Sequence, residues 1–329
     1  MVARDIDHVE IFAADPRSAV DYLRSALGFV QGAESADATG SAVLLRQGTA
    51  RLVVASGPRT APFLAEHGDG VADIALRCDD PLASRDAAIA AGAEPVAAES
   101  PHPAVRAFGG VRHTLLPAVP GGAGDAEEPG EAAGVRLLDH VAICLPGGTL
   151  SRYADFYTAA FGLVRYSAEY VAIGDQGMDS IVVRSPDGGV TFTLVAPDPA
   201  RNAGQLDAFL ARNGGPGVQH LAFGVGDIIA AVSDSRARGA EFLRTPATYY
   251  DMLAGRFPGL SAEIDGLRAA HVLADRDEWG YLLQIFTRSP HARNTLFYEF
   301  VQRRGARGFG SANIRALYEA VERDRVVAE

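Results

Sequence analysis

Three polar side chains interrupt apolar, strand-like segments in the second half of the sequence. His140 lies in LLDHVAI, His220 in VQHLAF and Glu299 in FYEFV. Burying such groups is costly unless a hydrogen-bond partner or a metal compensates. Two neutral imidazoles and one carboxylate on one face of a divalent cation leave three positions open, which is typical of non-haem Fe(II) oxygenases. One hypothesis from the residue types is therefore an iron site, provided that the fold brings the three side chains together.

Each of the three residues also has an ordinary structural interpretation. They are 80 and 79 positions apart and form no local motif. An isolated strand histidine is more often a hydrogen-bonded core residue, and a lone glutamate often marks a sheet edge. Five further histidines lie in turn-like or polar segments and are expected to be surface or structural residues: His67, His102, His113, His271 and His291. Residue type and placement alone leave both interpretations open.

The elements that would position these residues recur along the chain. Residues 6–11 (IDHVEI) precede a helical stretch that ends near Gly28, and residues 138–143 (LDHVAI) precede one that ends near Gly162. Asp15 is suited to cap the first of these helices. Such self-similarity indicates a repeated structural unit.

A second pair of segments repeats in the same way. Asp73 and Gly92 are 19 residues apart, and so are His220 and Gly239, each pair following a similar apolar strand. The chain is therefore predicted to contain four strand-helix-strands modules in two halves. His140 and His220 open equivalent strands of the third and fourth modules, and such strands can face one cavity.

The first half differs from the second at the positions that matter. His8 matches His140, but Asp73 stands where His220 would be, and no strand with a central glutamate follows. We therefore predict no metal in the first half.

The composition of the chain indicates a linker between the two halves and argues against some classes of binding partner. Residues 117–134 contain few branched or aromatic side chains and are predicted to link domains 1–116 and 135–329. With a net charge of -11 and no basic cluster, the 329-residue chain is not expected to bind nucleic acid. No run of 18 apolar residues or signal-peptide pattern is present, so a cytoplasmic location without membrane contact is expected. Cys78 and Cys144 are too few for a disulfide framework.

Further strands and a final helix complete the prediction. A C-terminal helix is expected after Ser311, with an apolar face that includes Ile314, Leu317, Tyr318 and Val321. Strands are predicted by alternation and β-branching at residues 41–45, 180–183, 190–195, 281–286 and 297–301.

The sequence as a whole resembles the vicinal-oxygen-chelate superfamily and, within it, the family of 4-hydroxyphenylpyruvate dioxygenases and 4-hydroxymandelate synthases. The resemblance covers nearly the whole chain and implies an α+β fold in which paired βαβββ modules form curved open barrels, with the C-terminal helix over the active site. Its most specific segments are 139–141 (DHV), 217–223 (GVQHLAF), 245–251 (TPATYYD), 273–277 (LADRD), 283–287 (LQIFT), 297–299 (FYE) and 308–313 (GFGSAN).

The resemblance also implies a chemistry. In the family, residues matching His140, His220 and Glu299 hold one Fe(II), which combines O2 with a 2-oxo acid and releases CO2 without a separate reductant. Attack on the ring of 4-hydroxyphenylpyruvate with side-chain migration gives homogentisate, whereas attack on the benzylic carbon gives 4-hydroxymandelate. Both products require the same iron ligands.

Other matching positions are expected to line the substrate pocket. Thr193 and Val195 share one face of a strand, and this Thr-Leu-Val run resembles the mandelate-forming branch. Ile314 and Tyr318 stand where the homogentisate-forming branch usually has phenylalanine. The resemblance adds four more pocket residues: Ser180, Gln284, Phe309 and Asn313. It therefore favours formation of 4-hydroxymandelate, which would feed 4-hydroxyphenylglycine formation for peptide antibiotics.

Three other functions stay open at this point. Homogentisate formation in tyrosine breakdown shares every iron ligand. A metal-free small-molecule binding protein could use the same paired modules, although it would not need both histidines and Glu299. An extradiol dioxygenase would use the same ligands together with further acid–base groups that the sequence does not identify.

Exposed edge strands also suggest a homodimer.

Overall fold

The computed structural model describes residues 2–38, 40–96, 101–119 and 133–310, together with Asn313 and Arg315. Most of the predicted linker and of the predicted C-terminal helix lies outside these residues, and so do Ile314 and Tyr318. Among the described residues, sixteen strands form two eight-stranded sheets, one in each half of the chain.

The first sheet has the strand order β2-β3-β4-β1-β5-β8-β7-β6. Its strands are β1 (Ala3–Phe12), β2 (Val30–Asp37), β3 (Gly40–Gln47), β4 (Ala50–Ser56), β5 (Gly70–Cys78), β6 (Glu94–Pro95), β7 (Ala104–Phe108) and β8 (Val111–Pro117). The central pair β1 and β5 is antiparallel, while β1–β4 and β5–β8 are parallel. Two four-stranded modules thus join edge to edge.

The second sheet repeats this plan with the order β10-β11-β12-β9-β13-β16-β15-β14. Its strands are β9 (Val135–Cys144), β10 (Val164–Ile173), β11 (Gln176–Arg184), β12 (Thr191–Pro197), β13 (Gly217–Val225), β14 (Leu273–Arg276), β15 (Tyr281–Phe286) and β16 (Phe297–Arg304). Again the central pair β9 and β13 is antiparallel, and the flanking pairs β9–β12 and β13–β16 are parallel.

Helices connect the strands of each module. They are α1 (Pro16–Asp21), α2 (Ala61–His67), α3 (Pro81–Ala90), α4 (Leu150–Phe161), α5 (Gln205–Asn213), α6 (Ile228–Ala237), α7 (Ala247–Arg256) and α8 (Ile264–Ala270). Shorter turns occupy Tyr22–Ala26 (π-helical), Pro58–Thr60 and Pro258–Glu263 (both 3-10). None of the described helices is long and apolar enough to cross a membrane.

Local sequence explains where the module helices begin and end. Asp15, Asp80 and Asp227 cap α1, α3 and α6, since each carboxylate accepts a hydrogen bond from a backbone N–H in the first turn. Gly162 ends α4 in the left-handed conformation, with φ of 67°. Three of the four module helices therefore begin at an aspartate cap, whereas Thr149 before α4 makes no capping hydrogen bond with its side chain.

Apolar packing joins the two halves. His113 of β8 is fully buried, its Nε2 lies 3.0 Å from the hydroxyl of Tyr157 on α4, and its ring stacks on Phe192 of β12. His113 thus serves packing between the halves, as one of the two roles expected for it. Two further expected surface or structural histidines, His67 and His291, are also buried.

The structure confirms the four strand-helix-strands modules predicted from the repeat and the α+β fold of paired modules implied by the family resemblance. The four modules are equivalent in strand order, and every strand predicted from alternation lies within or overlaps an observed strand. Helices α7 and α8 were not predicted, because the segment between β13 and β14 has no counterpart of similar length in the first half.

Candidate metal centre

The three candidate ligands lie on neighbouring strands at the centre of the second sheet. Ala222 of β13 pairs with His140 on β9 and with Glu299 on β16, so these two residues flank it. His220 precedes Ala222 by two positions and therefore shares its face. The small Ala222 side chain, fully buried, leaves space between the larger groups on either side.

This register brings the ligand atoms together. A carboxylate oxygen of Glu299 lies 3.3 Å from Nε2 of His140 and 3.2 Å from Nε2 of His220. The three candidate ligand atoms lie within 4.8 Å of one another, and no other group of three or more such residues was found within the described part of the chain. The side chains are 3%, 12% and 1% exposed for His140, His220 and Glu299.

The three buried candidate ligands shift one another's pKa values. Burial acts to lower the pKa of His140, but the Glu299 carboxylate and the hydrogen bond to Asp139 outweigh it and raise that pKa to about 9. Burial would raise the pKa of Glu299, but the two imidazoles lower it to about 2. Burial lowers the pKa of His220. The Glu299 carboxylate and the His140 imidazole thus favour each other's charged forms.

These donors fit a divalent metal. Bonds of about 2.1 Å from imidazole nitrogen and carboxylate oxygen to a metal place adjacent ligand atoms about 3 Å apart. The separations of Glu299 from both histidines are close to that value. Two imidazoles and one carboxylate on one side of a cavity match the arrangement found in non-haem Fe(II) oxygenases.

A second set of polar groups orients the carboxylate of Glu299. The side-chain amide of Gln284 donates to the second oxygen of Glu299 at 2.8 Å. Asn313 in turn donates from Nδ2 to Oε1 of Gln284 at 2.8 Å, and both amides are almost fully buried. Gln284 and Asn313, expected as pocket residues, therefore form a chain that fixes one oxygen of Glu299.

An aspartate orients His140 from the opposite side. Nδ1 of His140 lies 2.8 Å from Asp139, which also receives two hydrogen bonds from Arg303, at 2.7 and 2.8 Å. Burial raises the pKa of Asp139, but Arg303 and His140 outweigh it and hold that pKa far below its usual value. Because an ionised carboxylate can only accept, Nδ1 carries the hydrogen and Nε2 faces the metal position.

Asp139 has no role of its own among the sequence-based predictions, and Arg303 is absent from them. The signal for Asp139 was present, since an aspartate precedes the histidine in both repeats, at Asp7 and Asp139. Asp7 likewise contacts Nδ1 of His8, at 2.7 Å. Arg303 gave no local signal because its partner is 164 positions away.

A cavity of about 740 Å³ opens above the candidate ligands. Four expected pocket residues line it on β11, β12 and the segment after β16: Ser180, Thr193, Val195 and Phe309. Gln284 also reaches its surface. In the β11–β12 pairing, Ser180 lies opposite Val195. One face of these strands therefore forms a wall of the cavity.

Phe309 lies at the edge of this cavity, directly against a candidate ligand. Its ring packs edge-on against His140, with 5.3 Å between ring centroids. Gly310 follows with φ of 74°, and a Cβ there would lie 2.1 Å from Oε1 of Gln284. Glycine is therefore required where the chain passes the buried amide.

The first half has a different arrangement at the equivalent positions. Asp73, the counterpart of His220, accepts from Arg112 at 2.9 Å and from the backbone N–H of Thr114 at 3.0 Å. Glu10 pairs with Arg59 at 2.6 Å. The carboxylates of Asp73 and Glu10 are thus paired with guanidinium groups.

Comparison with known proteins gives two family matches. Residues 137–285 match the glyoxalase/bleomycin resistance protein/dioxygenase superfamily. Residues 1–120 match the family described as hydroxyphenylpyruvate dioxygenase, N-terminal.

Individual relatives span nearly the whole chain. A triply substituted 4-hydroxymandelate synthase from Streptomyces coelicolor is 46% identical, with a TM-score of 0.89, and the match covers 99% of this chain and 100% of that one. A 4-hydroxyphenylpyruvate dioxygenase from Pseudomonas sp. (strain P.J. 874) is 31% identical over 86% of this chain and 85% of its own length. The enzyme of the same name from Neurospora crassa is 28% identical over 97% and 91%.

Proposed function

Because the chain belongs to the 4-hydroxyphenylpyruvate dioxygenase family, whose members are dioxygenases, we propose that it converts 4-hydroxyphenylpyruvate and O2 to 4-hydroxymandelate and CO2 with one Fe(II). The observation that carries this proposal is the convergence of His140, His220 and Glu299 beneath the 740 Å³ cavity. Homogentisate and 4-hydroxymandelate are isomers, so the reaction balances equally for both. Which isomer forms therefore depends on how the cavity wall positions the substrate ring.

Fe(II) at this site would bind the 2-oxo acid and O2 together and draw from decarboxylation the electrons that reduce O2. The chain's own residues have the task of holding that group and the substrate. Asp139 keeps the hydrogen of His140 on Nδ1, so that Nε2 is available as a ligand. Gln284 fixes one oxygen of Glu299 by its hydrogen bond and leaves the other for the metal.

The cavity wall supports benzylic rather than ring attack. Thr193 and Val195 are both nearly buried and line the cavity from one face of β12. By resemblance to the family, homogentisate-forming relatives tend to carry proline and asparagine at the positions of Thr193 and Val195. A displacement of about 1 Å in the bound ring is enough to change which carbon lies next to the oxidant. The 46% identity to a 4-hydroxymandelate synthase favours the same product.

Homogentisate formation is the second candidate. It is favoured by the names of the curated relatives from Pseudomonas and Neurospora crassa, at 31% and 28% identity. It would use His140, His220 and Glu299 in the same roles. The two candidates differ only in where the substrate ring lies.

The test is substrate-dependent O2 consumption by protein loaded with Fe(II). We expect O2 uptake, CO2 release and product formation in equal amounts with 4-hydroxyphenylpyruvate, and none without added iron. Chromatography against authentic standards then separates the two isomers. Absence of O2 uptake in protein shown to contain iron would overturn the proposal, and homogentisate as the main product would leave the metal site but refute the assigned product.

A further inference from the structure

The guanidinium of Arg303 contacts both Asp139, the hydrogen-bond partner of the candidate ligand His140, and the turn that carries Phe309. Arg303 lies on β16 four residues after Glu299, so the two side chains leave the strand on the same face. Its Nε and one terminal nitrogen donate to the two oxygens of Asp139, at 2.7 and 2.8 Å. Such a bidentate pair adds geometric specificity to two strong, charge-assisted hydrogen bonds.

The other terminal nitrogen of Arg303 holds the turn after β16. It donates to the backbone oxygen of Gly308 at 2.7 Å and to that of Ala306 at 3.4 Å. The guanidinium carbon also lies 4.9 Å from the centre of the Phe309 ring. One side chain therefore contacts Asp139 and the backbone and aromatic ring of this turn.

The turn is anchored from its other side as well. The carboxylate of Asp277 accepts the backbone N–H groups of Arg307 and Gly308, at 2.6 and 2.7 Å. Asp277 thus accepts hydrogen bonds from the N–H groups of the turn, while Arg303 donates to its carbonyl oxygens. Hydrogen bonds to both the carbonyl and the N–H groups of this turn therefore hold Phe309 against His140.

We propose that Arg303 is a positioning residue that fixes the imidazole of His140 and the ring of Phe309 together. It does so by orienting Asp139, which holds Nδ1 of His140, and by fixing the turn that carries Phe309. The proposal rests on the proposed metal site. Without Arg303, Asp139 is free to turn away from Nδ1, and Phe309 loses a restraint, so both the ligand and its cover change position.

The first half supplies a matched control. Arg77 pairs with Asp7, which contacts His8 as Asp139 contacts His140, and Arg77 also donates to the backbone oxygen of Pro117 at 3.2 Å. Arg77 therefore has the same kinds of partner in the half without the candidate ligand set. Its removal should cost similar folding stability without affecting metal binding.

The experiment uses Co(II) as a spectroscopic substitute for Fe(II) in the full chain. Wild type, Arg303→Gln, Arg303→Lys and Arg77→Gln are titrated with Co(II), and the visible absorption reports both affinity and ligand geometry. We expect a 10- to 100-fold lower affinity and an altered spectrum in Arg303→Gln, in line with other residues that orient metal ligands. Arg303→Lys should fall in between, because an ammonium cannot form the paired contact. Arg77→Gln should match wild type.

Two further readouts separate positioning from loss of fold. Thermal melting shows that each variant is folded, and the ratio of product formed to O2 consumed should fall in Arg303→Gln as Phe309 loses its position. If Arg303→Gln does not fold, the Co(II) affinity and spectrum of Arg303→Lys, compared with those of wild type, test the proposal instead. Wild-type protein that binds no Co(II) would overturn the proposed function and this inference with it. Normal binding by wild type together with an unchanged affinity and spectrum in the Arg303 variants would overturn this inference alone.

Discussion

Nε2 of His140 lies 3.3 Å from a carboxylate oxygen of Glu299, although the two residues are 159 positions apart and their strands are not adjacent. The strand between them contributes only the methyl group of Ala222 at the level where they meet. Asp139 and Gln284 each hold the far side of one of the two groups, so hydrogen bonds within the protein orient the pair. Such preorganisation is what a tight metal site requires.

Removing the carboxylate should remove the metal. We predict that Glu299→Gln lowers the affinity for Fe(II) or Co(II) by more than about 100-fold and abolishes turnover, because the charge that offsets the cation is lost. Equilibrium dialysis with metal analysis measures this directly. Glu241→Gln, which changes a mostly exposed glutamate, is the control. Stoichiometric, tight metal binding in folded Glu299→Gln protein would rule out Glu299 as a ligand.

Enlarging the residue between the ligands should also disturb the site. We predict that Ala222→Val costs roughly 1–3 kcal/mol of folding stability through overpacking and weakens Co(II) binding at least about tenfold by separating His140 from Glu299. Ala75 is the matched control, because it pairs with His8 as Ala222 pairs with His140. Ala75→Val should lose similar stability and keep full metal affinity. Equal metal affinity in the two variants would show that the space at Ala222 does not matter.

Changing the cavity wall should change the product. We predict that Val195→Asn forms a larger fraction of homogentisate than wild type, because an amide opposite Ser180 alters the polar surface that the substrate ring meets. Val195→Ile keeps the wall apolar and should keep the wild-type product. Liquid chromatography of the two isomers gives the ratio. An identical ratio in all three proteins would make Val195 a packing residue only.

A parallel prediction concerns Ile314, which lies outside the described residues. On the resemblance alone, Ile314→Phe should divert part of the product toward homogentisate. The same chromatographic ratio measures it. An unchanged mixture would leave Ile314 with a packing role.

Stability should depend on pH through His113. Burial lowers its pKa to about 4, from an ordinary value of 6.5, so the folded chain keeps it neutral while the unfolded chain takes up a proton as the pH falls below 6.5. The stability from the neutral ring is complete above pH 6.5 and falls by about 3 kcal/mol as the pH drops to 4. Urea unfolding across this range should show a flatter dependence in His113→Gln than in wild type. Tyr157→Phe, which keeps the ring buried, should retain the wild-type slope, and an equally steep slope in His113→Gln would contradict the assignment.

Much of the fold could be predicted from the sequence, because the same features recur at equivalent positions of the repeated modules. The shared Asp-His pair, the helix-ending glycines and the equal spacing from Asp73 to Gly92 and from His220 to Gly239 defined the modules. Helices α7 and α8 could not be predicted in this way, because no equivalent segment in the first half supports them.

The candidate ligands were visible as polar residues in apolar strands, but their convergence was not. It depends on strand register, and β13 shifts register against β9 between Val218 and His220 and again after Ala222. A shift of one residue moves every later side chain to the other face. The role of Arg303 could not be predicted for a similar reason, since only the folded sheet brings it to Asp139.

The most direct test of the whole account is to supply the Fe(II)-loaded protein with 4-hydroxyphenylpyruvate under 18O2 and to identify the product by chromatography and mass spectrometry. We expect 4-hydroxymandelate that carries oxygen from O2 in both its new hydroxyl and its carboxylate, with CO2 derived from the substrate carboxylate. Labelled homogentisate in its place would contradict the assigned product. Unlabelled substrate recovered unchanged from protein with a full complement of iron would contradict the account as a whole.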